Sequence, residues 1–234
     1  MRYGFLSDAH GNVEAFAQAL GVLRDEGAEQ IWFLGDAVGY LAGDAVVRAL
    51  KESALPSILG NQEAFLLAGN LDPERDAVYR IGQTAKALSR DLRDFIATWP
   101  QQQCLESAAG RIVLVHGSPS DPTFGYVYPD TDLASFQVPA GTAVFMANTH
   151  RPFVRECGGA LFVNIGSCGL PRDSGSMGAA CIYDSATNVA HIVRFDIGAA
   201  TAAALARSGP VHPSVEAVYR RPTPLDLVGV RHGR

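Results

Sequence analysis

The sequence predicts an α/β fold on three observations. Apolar, strand-like runs alternate with helical stretches through the first half. The residues best able to do chemistry stand just after the ends of those runs, and the last third turns to strands paired around tight turns. Alternation of this kind implies a parallel sheet, and the closing segment implies antiparallel hairpins.

Residues 3–7 read as a first strand. Val13, Phe16, Ala17, Leu20 and Leu23 then recur at helical spacing, and Gly27 supplies a C-terminal stop. Residues 30–34 form a second apolar run, followed by a Gly-rich loop, a helix over 45–52 and a short extended piece ending at Leu59. After Pro73 the positions Val78, Ile81, Ala85, Leu88, Leu92, Phe95 and Ile96 describe one face of a single long helix that Pro100 terminates. Strands over 111–115 and 143–146 run towards His116 and His150. Gly158-Gly159 fits a tight hairpin turn between strands 153–157 and 160–164. A second hairpin pairs 179–183 with 189–195, and an Ala-rich helix near 199–207 precedes a Pro/Arg-rich tail.

The chain has 234 residues, 47 % of them apolar, which one hydrophobic core can organise, so 1–234 is expected to be one domain, with no order assigned to 210–234. No apolar run reaches the roughly 18 residues of a membrane span. Met1 leads straight into a strand-like run without a secretory pattern, and Cys104, Cys157, Cys168 and Cys181 are scattered without a CxxC pair. Both features imply a cytoplasmic protein with inert thiols. A net charge of −5 and the lack of Lys/Arg clusters argue against a stable nucleic-acid complex. A small phosphorylated substrate remains compatible, because bound metal ions supply positive charge locally. Nothing in the sequence bears on oligomeric state.

Five loops carry the chemistry: Asp8-Ala9-His10, Gly35-Asp36, Gly60-Asn61, His116-Gly117-Ser118 and Asn148-Thr149-His150. In open α/β sheets such loops converge on one crevice. Each alone has an ordinary reading: Asp8 as a helix cap, Asp36 and Asn61 as turn residues, a histidine as a satisfied core imidazole. Together they supply two carboxylates, three imidazoles and an amide oxygen, a mixed N/O ligand set for first-row divalent metals. Two ions roughly 3.5–4 Å apart can activate a water-derived hydroxide and clamp phosphoryl oxygens.

In order, these motifs resemble those of calcineurin-like metallophosphoesterases, most closely the small bacterial and archaeal branch of phosphodiesterase and protein-phosphatase-like members. The stretches from Ser7 to Asn12, Val115 to Pro119 and Thr149 to Pro152 carry the likeness. The resemblance implies a four-layer αββα sandwich of two mixed sheets flanked by helices. It implies one metal held by Asp8, His10, Asp36 and His150, with Asp36 bridging to a second held also by Asn61 and His116. The ions would be one or two of Mn, Fe, Zn, Ni or Mg, and Asp36, Asn61 and Gln62 would take part in catalysis.

Two positions depart from the family pattern. Gln62 stands where a histidine is usual, and it donates a hydrogen bond but delivers no proton, a loss worth on the order of 10²–10⁴ in rate. Asn148 stands in place of a further imidazole ligand, and its carbonyl oxygen would favour manganese or magnesium over zinc at the second site. The expected activity is metal-dependent hydrolysis of a phosphoester, of phosphodiester or nucleotide type by the resemblance. The rival is a degenerate member that binds metal, nucleotide or a protein with little turnover. A structural protein whose loops are ordinary turns is the third reading.

Other residues have two readings each. Asn12 caps the first helix or touches substrate, and Arg172 pairs with phosphate or with Asp173. Phe124, Tyr126 and Tyr128 stack a base or pack their own loop. His191, His212 and His232 receive no role.

Overall fold

The computed structural model of the protein describes residues 1–41 and 43–223, so the end of the tail, with His232, lies outside the described residues. The chain runs β1 (Arg2–Leu6), α1 (Val13–Asp25), β2 (Gln30–Phe33), α2 (Ala45–Glu52), α3 (Asn61–Ala68), α4 (Pro73–Tyr79), α5 (Ile81–Ala87), α6 (Arg90–Ile96), β3 (Gln102–Ser107) and β4 (Gly110–Val115). It continues through a 3₁₀ turn (Leu133–Phe136), β5 (Thr142–Met146), β6 (Phe153–Cys157), β7 (Ala160–Asn164), β8 (Met177–Asp184), β9 (Val189–Asp196), α7 (Gly198–Ser208) and α8 (Pro213–Tyr219).

Two mixed sheets result, ordered β2-β1-β8-β9 and β3-β4-β5-β7-β6. The expected division into a parallel first half and an antiparallel last third is corrected by long-range pairing. β8 returns to lie antiparallel to β1, and β7 joins β5 in parallel. Both hairpins form as expected, and Gly158 and Gly159 both adopt positive φ in the turn, 58° and 78°. The extended piece near Leu59 makes only one bridge, Ser57 to Phe33.

Period-two alternation assembles the layers. Tyr3 and Phe5 of β1, Ile112 and Leu114 of β4 and Phe145 of β5 fill the core between the sheets. Leu6, Phe33 and Ile182 face the helices, where they meet Phe16, Leu20 and Leu23 of α1. On the outer face of the second sheet Val144, Met146 and Phe162 are covered by Val127, Leu133 and Phe136. The fourth layer of the sandwich is therefore the 3₁₀ turn and its flanking loop.

The single long helix is also corrected: α4, α5 and α6 are separate. Arg80 takes a left-handed φ of 57° while its guanidinium bonds Gln83 and Ser208, and Asp76 accepts from the Gly82 amide at 2.8 Å. Leu88 is extended, and the Ser89 hydroxyl then caps α6 by accepting from Leu92 N. The breaks keep Ile81, Leu88, Leu92 and Ile96 all buried. Asn12 caps α1, its Oδ1 accepting from Ala15 N at 3.1 Å. Among the described residues no helix is long and apolar enough to cross a membrane.

Candidate metal centre

The loops after β1 and β2 run side by side: Asp8 N donates to Gly35 O, His10 N to Asp36 O and Gly11 N to Ala37 O, each at 2.9–3.0 Å. This pairing holds several residues in a conformation that L side chains avoid. Asp8, His10, Asp36, Asn148 and His150 have φ of 55°, 48°, 61°, 63° and 56°. Left-handed backbone costs a non-glycine residue about 1–2 kcal/mol, so the surrounding structure must hold it there. Gly60 permits the close approach of α3, because a Cβ there would collide with the Oδ1 and backbone nitrogen of Asp36.

Asp8, His10, Asp36, Asn61, His116 and His150 come together, all buried. His150 Nε2 lies 3.2 Å from Asp8 Oδ1, and His116 Nε2 lies 3.5 Å from Asp36 Oδ2. His10 Nε2 stands between them, 3.6 Å from Asp8 and 3.7 Å from Asp36. Asp8, His10 and His150 form one compact ligand group, and Asp8, Asp36 and His116 an adjoining one. Asn61 Oδ1 is 3.2 Å from His116 Nε2. Asn148 stands apart from this contact set through its hydrogen bond: its Nδ2 donates to Gly125 O at 2.8 Å, tethering the loop that carries Phe124, Tyr126 and Tyr128.

The donor chemistry fits a cation. Each imidazole turns Nδ1 to a backbone carbonyl: His10 to Val38 O, His116 to Leu34 O and His150 to Leu170 O. A carbonyl only accepts, so Nδ1 carries the proton and Nε2 of the neutral ring presents its lone pair, the arrangement that orients histidine ligands. His10 and His150 point these nitrogens at each other across 3.2 Å. Both Asp8 oxygens are buried without a hydrogen-bond donor, and the Asn61 side-chain amide reaches the Asp36 oxygens at 2.9 and 3.2 Å. Acceptors converging on acceptors are unfavourable unless a positive charge sits among them.

Protons compete for the same lone pairs. Burial pushes the His116 imidazole down, but the Asp36 carboxylate and then Asp8 override it, so its pKa rises to about 10. Burial would raise Asp8, yet His150, His10 and His116 hold it well below the usual carboxylate range. Burial lowers His150. Metal binding at pH 7 must therefore displace the proton His116 retains up to about pH 10. Mn²⁺ affinity should rise with pH across 6–8, and calorimetric enthalpies should vary with buffer ionisation heat in proportion to roughly one released proton. Enthalpies independent of the buffer would contradict this assignment.

Sequence reading missed Glu63. Its carboxylate accepts from the backbone N–H groups of Asp36, Ala37, Val38 and Gly60 at 2.8–3.1 Å, fixing the Asp36 loop. Burial and the neighbouring Asp36 push it up to about 7. Its position three residues after Gly60, in the first turn of α3, is the spacing of a reciprocal cap and was the available signal. Glu63→Ala leaves buried donors unpaired and should lower stability by about 3 kcal/mol, read in urea unfolding. A loss below about 1 kcal/mol would show that the loop holds itself. Ser167 and Leu170 were missed as well, in the loop after β7 where the sequence marks Arg172: Ser167 Oγ donates to Asp8 O, and Leu170 supplies the carbonyl for His150.

Candidate metal-ligating side chains gathered at the strand ends of two mixed sheets define the class: an α/β sandwich with a candidate metal site. The chain belongs to the calcineurin-like phosphoesterase superfamily, whose domain profile matches residues 1–188. It is 26 % identical over 212 residues to the uncharacterized protein MJ0912 of Methanocaldococcus jannaschii, covering 82 % of this chain and 86 % of that one. The fold is shared with a metallophosphoesterase from Sphaerobacter thermophilus, at TM-score 0.74, 23 % identity and 94 % and 98 % coverage of the two chains. It is shared also with the hypothetical protein PH1004 of Pyrococcus horikoshii OT3, at TM-score 0.76, 18 % identity and the same coverage.

Proposed function

We propose that this protein is a metal-dependent hydrolase of a small phosphorylated substrate, of phosphodiester or nucleotide type. The observation that carries the reading is the convergence of three Nε2 lone pairs, two carboxylates and the Asn61 oxygen into two adjoining ligand groups. Asp8, His10 and His150 hold one divalent ion, and Asp36, His116 and Asn61 a second, with Asp36 within reach of both sets. Three imidazoles with carboxylates make a mixed nitrogen and oxygen set that suits first-row divalent ions. Bound there, such ions activate water and neutralise the charge that develops on phosphoryl oxygens. Asp36 Oδ1 accepts from the Gln62 backbone N–H at 2.9 Å, so α3 orients the shared carboxylate. The Gln62 side-chain amide is buried beside Asn61, its Nε2 3.2 Å from the Asn61 amide. The four unpaired thiols support a reducing, cytoplasmic setting.

The test is turnover of bis(4-nitrophenyl) phosphate and 4-nitrophenyl phosphate by protein loaded with Mn²⁺, Mg²⁺, Zn²⁺ or no metal. Metal-dependent release of nitrophenol, faster from the diester, is the expected result. Stoichiometric metal without turnover would instead favour a binding protein, the second reading, which Gln62 and the tethered Asn148 motivate. Gln62→His combined with Asn148→His separates the two: in an enzyme of reduced activity it should raise hydrolysis of esters with poor leaving groups at least tenfold, within the range of general-acid help. No gain would indicate residues tuned to a particular substrate.

A further inference from the structure

Against the metal centre lies a second cavity, of about 310 Å³, that the proposed reaction at the metals leaves unused. Its walls are Tyr40, Tyr79, Leu170, Arg172, Ser214 and Arg221, closed by apolar residues of α4 and α8. Two guanidinium groups border it, and among the described residues no carboxylate lines it.

Arg172 is aimed into this space rather than neutralised. The carboxylate next to it in sequence, Asp173, is taken by both terminal nitrogens of Arg194, at 2.6 and 3.2 Å. Arg172 spends Nη2 on the Tyr40 hydroxyl at 2.8 Å, and its Nε is buried without an acceptor among the described residues. Arg221 is placed alongside by donating to the backbone oxygen of Arg172. Among the described residues no carboxylate pairs with Arg172, and a planar guanidinium matches phosphate oxygens.

The cavity is joined to the metal ligands by direct contacts. The Tyr40 ring packs edge-on against His10, with centroids 4.7 Å apart, and Arg172 N donates to His150 O at 3.2 Å. The cavity therefore borders the ligand loops, with Tyr40 shared between its wall and the surroundings of His10. The volume is at the lower limit of small-molecule pockets, which run from about 300 to 1,000 Å³, and admits a phosphoryl group.

We propose that Arg172, with Arg221 and the Tyr40 hydroxyl, forms a second phosphoryl subsite, so that the substrate carries a further phosphate beyond the one hydrolysed. A nucleoside polyphosphate or another diphosphate ester fits this requirement, and a singly charged diester does not. This deepens the hydrolase reading and rests on it.

Two arms test the proposal. In the first, inorganic phosphate is titrated calorimetrically into metal-free protein, where the carboxylates of the metal centre repel it. Saturable one-site binding is expected, weakened at least tenfold by Arg172→Ala, less by Arg221→Ala, and partly restored by Arg172→Lys. Absence of binding, or binding unaffected by Arg172→Ala, overturns the subsite. In the second, metal-loaded variants hydrolyse bis(4-nitrophenyl) phosphate and a dinucleoside polyphosphate. Arg172→Ala should raise KM for the polyphosphate at least tenfold while leaving the simple diester within twofold. Equal losses on both substrates would mean that Arg172 only supports the His150 loop. Phosphate binding with no selective effect on the polyphosphate would make the cavity a site for free phosphate and overturn the substrate assignment. Wild-type protein that binds phosphate yet hydrolyses neither compound would refute the hydrolase reading alone.

Discussion

Asp36→Asn should lower kcat/KM for a phosphodiester by about three orders of magnitude, equivalent to about 4 kcal/mol of lost transition-state stabilisation. The substitution keeps the shape of the side chain and removes its charge. Asp36 Oδ2 lies 3.5 Å from His116 Nε2 and 3.7 Å from His10 Nε2, so it reaches towards both halves of the centre, as Asp8 does. An amide in its place weakens the hold on a cation and turns an N–H₂ or a neutral oxygen towards it. Kinetics at saturating Mn²⁺, with metal stoichiometry measured on the same samples, separates lost metal from lost chemistry. Activity within tenfold of wild type would remove Asp36 from the centre.

The second large effect is on stability. Asp8 and Asp36 extend from the first sheet, whereas His116 and His150 extend from the second, so a bound ion straps the two together. At a metal concentration 100 times Kd the linkage amounts to about 2.7 kcal/mol. For a chain of this size that raises Tm by roughly 5–10 °C, and a chelator should reverse it. Asp8→Asn should flatten the response, and its metal-free form should melt below metal-free wild type, because the imidazoles of His150, His10 and His116 favour the ionised carboxylate in the fold. Equal Tm with Mn²⁺ and with chelator would count against a metal site at these residues.

What could be read from the sequence was local. β1, β4 and β5 are legible as apolar runs because both faces of each are largely covered, and the turn at Gly158-Gly159 announces its own geometry. The ligand loops were legible because residue type alone restricts them to a few chemistries. β3 escaped notice because it is an edge strand with no fully buried position, so no apolar alternation marks it. Sheet order is a matter of pairing across long separations, as between β1 and β8, and no short window contains it. The helical stripe after Pro73 was real, but breaks at Arg80 and Leu88 depend on partners such as Ser208, far along the chain. Glu63 was hidden because its role is to accept from backbone groups, which every sequence has.

The left-handed conformation of Asp8, His10, Asp36, Asn148 and His150 makes the centre a patch of local frustration in an otherwise consistent fold. Selection for folding alone would favour glycine at such positions and would disperse the clustered acidic and imidazole groups. Laboratory evolution towards heat resistance without metal should therefore erase this patch first, trading activity for stability. A thermostable descendant that keeps all five residues would have been held to them by a demand other than folding.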